Sequence, residues 1–166
     1  MTFPAFTLAP LLAPATVVDF ELSLRIAREV RARDGYCWTN AMRACEQCLP
    51  EATYIEGYVV VDDFPLPIAH AWLALPDGRV VDPTPVFADA NSPRTAYFPA
   101  FRYAPDFLRF MFAHYARLLL PYSGIGKDDF RGQHCVEWQA ATVAAWRHAE
   151  ARHLGRHGVS LFCCDE

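Results

Sequence analysis

The sequence predicts an α+β domain in which helices pack on a small antiparallel β-sheet. Three patterns predict it: a helical apolar stripe near the N-terminus, an alternating strand at 54–61, and a hairpin-like stretch at 67–84. A short connection of this kind joins antiparallel strands, because parallel strands need a long crossover. A chain of 166 residues can bury one substantial core, so we expect a single domain over 1–166.

The first helix is predicted at 16–33, after an extended surface arm at 1–15. Thr16 and Asp19 resemble a capping box, with aspartate in place of the usual Glu or Gln. Gly35 supplies a left-handed residue of the kind that commonly ends a helix. The apolar stripe consists of Val18, Leu22, Ile26 and Val30.

A second helix is predicted from about Thr39 until Pro50, and it places Cys37 at or just before the first turn. Unpaired N–H groups and the helix dipole favour an anion at that position. The thiolate is the nucleophilic form of cysteine, so Cys37 is a candidate nucleophile. Free cysteine is also common as a small buried apolar residue, and position alone leaves that alternative open.

The strand at 54–61 alternates, with Tyr54, Glu56, Tyr58 and Val60 on one face. Glu56 is unusual there because an unpaired acid is costly to bury among apolar neighbours. It either lines a site or faces water on the outer side of the sheet.

The hairpin at 67–84 predicts a specific register. Residues 76–78 suit a three-residue loop with Gly78 in the left-handed region. Trp72 then lies opposite Asp82, and His70 projects from the same face, diagonal to Asp82 at about 7–8 Å. A two-residue loop would move Asp82 to the other face.

Cys37, His70 and Asp82 together predict a catalytic triad. The thiolate would attack a carbonyl, the imidazole would shuttle the proton, and the carboxylate would orient the imidazole. Each residue has an ordinary alternative: a structural histidine, a strand-ending aspartate before Pro83, and, for Trp72, a core position.

The order of these motifs resembles the transglutaminase-like branch of the papain-like cysteine hydrolase superfamily, and more narrowly a group of small bacterial and phage proteins. The resemblance covers 36–84 and implies a cysteine that opens a helix, with histidine and aspartate on neighbouring antiparallel strands. It implies a single transglutaminase-like domain. The motifs that carry it are Tyr36-Cys37-Trp38-Thr39-Asn40-Ala41, Tyr54-Ile55-Glu56-Gly57-Tyr58, His70-Ala71-Trp72 and Asp82-Pro83-Thr84.

The resemblance implies a cysteine-dependent hydrolase or acyltransferase that acts through a thioester. The superfamily includes cysteine proteases, deamidases, amide-forming transferases and arylamine acetyltransferases, so the expected substrate is a peptide, protein or small amide, or an ester. Some relatives have lost catalysis. A catalytically inactive binding module is therefore the alternative.

One departure concerns the oxyanion. Papain-like proteases usually carry a glutamine before the nucleophile, and none precedes Cys37. Candidate donors are the backbone N–H of Cys37 or Trp38, the Asn40 side chain, and a tyrosine hydroxyl. Asn40 is the first choice, with a local hydrogen bond as its alternative role. Glu56 and Trp72 complete the supporting residues.

The remaining chain predicts fewer features. A Pro-rich and aromatic-rich loop at 83–105 is expected to border the cleft, followed by a buried helix at 106–120 and a turn-rich connection at 121–132. A further helix is expected at 135–153, and 159–164 is an edge strand or a tail. The loop aromatics, which either form substrate walls or pack on the core, are Phe87, Tyr97, Phe98, Phe101 and Tyr103.

Metal binding is the main competing chemistry. Cys45 and Cys48 have CxxC spacing, but there is no second CxxC, and a structural zinc needs four converging ligands. We therefore expect no metal and no cofactor. Further potential ligands are His134, Cys135, His148, His153, His157, Cys163 and Cys164.

Composition narrows the partners and the compartment. A net charge of -4 without a continuous basic stretch argues against binding of nucleic acid. The sequence contains no run of 18 apolar residues, so we expect no membrane span. Residues 1–18 lack a positive n-region and make a poor signal peptide. Six irregularly spaced cysteines favour a reducing cytoplasm. Delivery as a secreted effector and the oligomeric state stay open.

Overall fold

The computed structural model describes residues 15, 17–62, 64, 66–88, 95–103, 106 and 136–157, with side chains up to residue 152. Helices and a four-stranded antiparallel sheet confirm the α+β class. The strand order is β3-β2-β1-β4. The described elements are α1 (Phe20–Glu29), α2 (Cys37–Gln47), β1 (Thr53–Val61), β2 (Ile68–Ala74), β3 (Val80–Val81), α3 (Pro85–Ala88), β4 (Thr95–Tyr103) and α4 (Val136–His157).

Helix α1 is shorter than the predicted 16–33. Asp19 is the N-cap itself, and its side chain accepts a hydrogen bond from the Leu22 N–H at 3.0 Å. The chain before Asp19 is extended because Val18 pairs with Val80 of β3. At the other end Arg31 takes a left-handed conformation with φ 52°, and it ends the helix before Gly35.

The predicted arm at 1–15 reaches the described residues only at its last position. Ala15 forms a two-bond bridge with Tyr97 of β4, with N···O distances of 3.0 Å in both directions. Ala15 is therefore paired to the sheet. The rest of the arm lies outside the described residues.

The predicted loop at 83–105 is wrong for its second half, since Thr95–Tyr103 forms β4 and pairs with β1. Pro99 argues against a central strand, but β4 is the last strand of the described sheet, and the register shifts beside Gly57 and Pro99. A Cβ on Gly57 would lie 2.1 Å from the Phe98 carbonyl oxygen, so the bulge needs a glycine there.

The sheet has two differently covered faces. On one, which we call the α2 face, Tyr54 and Leu73 pack against α1 and α2. Val60 on the same face packs against Ala145 and Ala149 of α4. On the other, the Trp72 face, the packed side chains are Ile55, Val59, Trp72, Val80 and Tyr97.

The predicted helix at 135–153 is confirmed as α4, which extends to His157. The predictions for 106–120, 121–132 and 159–164 lie outside the described residues, apart from Asp106.

Candidate active site

The hairpin between β2 and β3 has the predicted three-residue turn. Leu75 and Arg79 close it through the Leu75 N–H and the Arg79 carbonyl at 2.9 Å, and Gly78 has φ 88°. Leu73 pairs with Val81, and the same register puts Trp72 opposite Asp82. The predicted three-residue turn and the register that a His70–Asp82 contact requires are therefore confirmed.

His70 and Asp82 are in direct contact. His70 Nε2 lies 2.7 Å from Asp82 Oδ2, and the two residues are 2% and 0% exposed. A buried ion pair of this kind needs good geometry to offset the cost of desolvation. It also fixes the imidazole orientation, because only Nδ1 is left for another partner.

Asp82 is held by further hydrogen bonds from separate parts of the chain. The Tyr97 hydroxyl donates to Oδ2 at 3.0 Å, and the Thr84 N–H donates to Oδ1 at 3.0 Å. The Asp82 N–H donates to the Ser23 hydroxyl on α1, also at 3.0 Å. A carboxylate with this many donors has one orientation.

Cys37 is the first residue of α2, as its position in the sequence predicted, and it is 6% exposed. Its thiol is within side-chain hydrogen-bonding reach of His70. Nε2 is taken by Asp82, so Nδ1 is the ring nitrogen left for a second partner. The three predicted triad residues are thus brought together in the order thiol, imidazole, carboxylate.

The electrostatics favour a protonated imidazole. Burial lowers the pKa of His70, but the Asp82 carboxylate, and after it Cys37, outweigh burial and raise this pKa to about 10. His70 is therefore a cation at neutral pH, between a carboxylate and a sulfur.

The contact between Cys37 and His70 forms at an open edge. Helix α2 packs on the α2 face, whereas His70 projects with Trp72 from the other face. Strand β3 ends at Val81, so no described strand flanks the His70 end of β2 on its outer side.

Aromatic rings enclose the imidazole. Trp72 stacks on His70, with ring centroids 6.3 Å apart and 15° between the planes, and Phe87 meets it edge-on at 4.8 Å. Phe87 comes from α3, within the stretch predicted to border the cleft. Trp72, which the sequence proposed as a supporting residue, packs directly against His70.

Asn40 is engaged with the loop before the nucleophile. Its Oδ1 accepts from the Arg33 N–H at 3.1 Å, and its Nδ2 donates to the Arg33 carbonyl at 2.7 Å. These two hydrogen bonds are close to the local hydrogen-bonding role that the sequence left open for Asn40. They fix the position of the chain that leads into Cys37.

Glu56 does not face water, because it is 0% exposed. The Tyr54 hydroxyl donates to Glu56 Oε1 at 2.8 Å. Burial, and after it the charge of Glu56, raise the pKa of Tyr54 well above its ordinary value, and Cys37 contributes to the same shift. The Tyr54–Glu56 pair therefore lies near the sulfur, and its tyrosine keeps its proton.

Trp38 packs against the core on the α2 face. Its indole Nε1 is buried and has no hydrogen-bond partner among the described residues. The side chain of the N-cap residue Tyr36 makes no capping hydrogen bond to α2, and the first N–H groups of a helix have no intrahelical acceptor.

The CxxC pair does not form a metal site in the described residues. The Cys45 thiol donates to the Ala52 carbonyl at 3.5 Å, and burial and the nearby Glu29 raise the pKa of Cys48. No three His, Cys, Asp or Glu side chains of the described chain are grouped to hold a metal ion. Of the other proposed ligands, only the side chain of His148 is described, and it packs on Phe98.

Two residues of the site were missed as such in the sequence. Tyr97 appeared only among the loop aromatics, and Ser23 was not noticed. A strand assignment for 95–103 is the signal that could have placed Tyr97 beside the hairpin, since alternation puts Tyr97 on one face of such a strand.

Comparison with protein-family models, with curated proteins and with solved structures gives no match. None of the helices in the described part of the chain has the length and hydrophobicity to cross a membrane.

Proposed function

We propose that this protein is a cysteine-dependent hydrolase or acyltransferase that acts on an amide, peptide or ester bond through a thioester. The observation that carries the proposal is the buried His70, held by Asp82 at 2.7 Å through Nε2 and with the Cys37 side chain within hydrogen-bonding reach. Perturbed titratable groups that share a specific partner cluster at catalytic sites.

The proposed reaction has two steps. The Cys37 thiolate attacks the substrate carbonyl, and the tetrahedral intermediate collapses as the bond to the leaving amine or alcohol breaks and His70 donates its proton to that group. Water or an acceptor amine then attacks the thioester, and His70 removes its proton. The sulfur leaves as thiolate, and the enzyme regains its starting protonation.

The start of α2 is the proposed oxyanion site. Tyr36 provides no side-chain cap, so the Cys37 and Trp38 N–H groups are the donors that a carbonyl oxygen would meet above the sulfur. The Asn40 side chain is joined to the Arg33 backbone, which occupies its amide oxygen and one of its two amide N–H groups.

Alkylation by iodoacetamide tests the activated thiol. We expect Cys37 to react at least about tenfold faster than Cys48 at pH 6, because only the thiolate reacts and a neighbouring imidazolium stabilises it. Rates for each cysteine are read by peptide mass spectrometry. His70→Ala should abolish the difference, and His148→Ala, which removes a histidine that packs on Phe98, should preserve it.

Two results would contradict the proposal. One is a Cys37 rate no higher than that of Cys48, and the other is an unchanged Cys37 rate in His70→Ala. Turnover separates the enzyme from an inactive binding module. With p-nitrophenyl acetate the enzyme should release many equivalents of p-nitrophenolate, whereas an inactive module should at most acetylate Cys37 once.

A further inference from the structure

A cavity of about 420 Å³ opens on the Trp72 face of the sheet, toward the tip of the β2–β3 hairpin. Its size is in the range of small-molecule sites, which combine apolar walls with a few polar groups. Residues of β1, β2 and the hairpin turn form most of the wall, and the nearly buried Ile55, Trp72 and Val80 are among them.

Among the described residues of this wall, Arg102 of β4 is the one charged side chain. It lies across from Ile55, which in turn pairs with Trp72, so the three residues form a row across the sheet. The Arg102 Nε is buried and has no hydrogen-bond partner in the part of the chain that the structure describes, and burial lowers the pKa of the guanidinium. An unpaired buried N–H of a cation is costly, and an anion would offset that cost.

Trp72 connects the cavity to the candidate active site. The indole lines the cavity and also stacks on His70 at a centroid distance of 6.3 Å. A molecule in the cavity would therefore contact the side chain that packs on the proposed general base.

We propose that this cavity binds the carboxylate of a substrate, with Arg102 as the anion-binding residue and Trp72 as the wall for the adjoining apolar group. Arg binds carboxylates through two parallel N–H bonds. A single guanidinium among apolar walls suits one carboxylate better than a phosphate, whose sites gather more donors. Calling the ligand a substrate rests on the proposed function, but binding itself does not.

Calorimetry on the Cys37→Ala protein tests the pocket without covalent chemistry. The probes are N-acetyl-Ala-Phe with a free carboxylate, its C-terminal amide, and N-acetyl-Asp-Phe-amide. We expect the free acid to bind at least about tenfold more tightly than the neutral amide, as a charge-assisted hydrogen bond predicts. Tight binding of the Asp peptide would show that the pocket accepts a side-chain carboxylate, and weak binding would show that it requires the carboxylate of a chain terminus.

Variants test whether Arg102 causes the preference for the free acid over the amide. Arg102→Met should remove this preference, whereas Arg43→Met, which changes an exposed arginine on α2, should leave it intact. If Arg102→Met does not fold, Arg102→Lys serves instead and should lose at least about threefold of the preference, because lysine lacks the planar fork.

Equal binding of acid and amide would overturn the proposal, as would a preference that persists in the Arg102 variants. These outcomes are independent of the alkylation test. Failure of the pocket leaves Cys37 reactivity unchanged, and failure of the proposed function leaves the carboxylate preference measurable in Cys37→Ala.

Discussion

Asp82 accepts hydrogen bonds through both carboxylate oxygens. Oδ2 is shared by His70 and Tyr97, and Oδ1 takes the Thr84 N–H. Because Tyr97 and His70 compete for the charge of one oxygen, the tyrosine hydroxyl sets how strongly the carboxylate holds the imidazolium. Tyr97 is thus a positioning residue that acts through Asp82.

Tyr97→Phe should raise the pKa of His70, because the loss of a donor leaves more negative charge on Oδ2 for the imidazolium. Asp82→Asn should lower it, because the carboxylate is the main cause that raises this pKa. The measurement is an NMR titration of the His70 ring protons. We also expect Tyr97→Phe to reduce the free energy of unfolding by about 1.5–3 kcal/mol, the value of a hydrogen bond to a charged group.

A tyrosine that only fills space would give a different result. Phenylalanine would then leave the His70 titration unchanged, or lower the pKa if water entered beside Asp82. The opposite directions expected for Tyr97→Phe and Asp82→Asn separate these possibilities.

At the residue scale the sequence predicted the three members of the triad but not their support. Cys37, His70 and Asp82 follow from helix-end chemistry and strand register, which are local. Tyr97 and Ser23 lie 15 and 59 positions from Asp82, and a pattern in one sequence does not reveal such distant partners. For the buried Tyr54–Glu56 pair, the sequence indicated that the acid is unusual but not that Tyr54 donates a hydrogen bond to it.

At the element scale the turn of the β2–β3 hairpin determines whether Asp82 and His70 are in contact. Deletion of Pro76 would leave a two-residue loop and shift the register by one, which moves Asp82 away from His70. We expect the Cys37 alkylation rate at pH 6 to fall to that of Cys48 in this variant. Peptide mass spectrometry gives both rates in one sample.

Gly78→Ala is the matched control for that deletion. No atom lies within 4 Å of the position a Cβ would take, so the change costs only the strain at φ 88°, about 1–2 kcal/mol. The register and the Cys37 rate should be retained. A normal rate after deletion of Pro76 would show that the register does not determine the contact.

The elements that the sequence misjudged each depend on tertiary pairing. Residues 16–19 were predicted to belong to the first helix, yet Val18 pairs with Val80 and the helix starts later. Pro99 is typical of a loop, yet it sits at the bulge where β4 passes Gly57. Local propensity is a weak prior in such places, because pairing to a neighbouring strand overrides it.

At the scale of the whole molecule the site makes folding depend on pH. The pKa of His70 is raised from 6.5 to about 10 in the folded protein. The stabilisation that protonated His70 provides is therefore complete below pH 6.5 and is lost as the pH rises toward 10.

Urea unfolding of the native protein and His70→Gln measures this contribution. We expect the difference in free energy of unfolding to be largest at pH 6 and to shrink by up to about 1.4 kcal/mol per pH unit above 6.5. Taking the difference cancels groups that titrate equally in both proteins. A difference that is constant from pH 6 to pH 10 would contradict the raised pKa.

The N-terminal stretch 17–23 borders β3 on the side away from β2. Val17 and Asp19 exchange backbone hydrogen bonds with Val80 at 2.9 Å, and the Ser23 hydroxyl receives the Asp82 N–H. The segment 37–82, which carries the three candidate triad residues, therefore depends on residues 17–23 for part of its support. Transplanted alone into another protein, it would carry a two-residue strand with an uncovered edge, which is prone to intermolecular pairing.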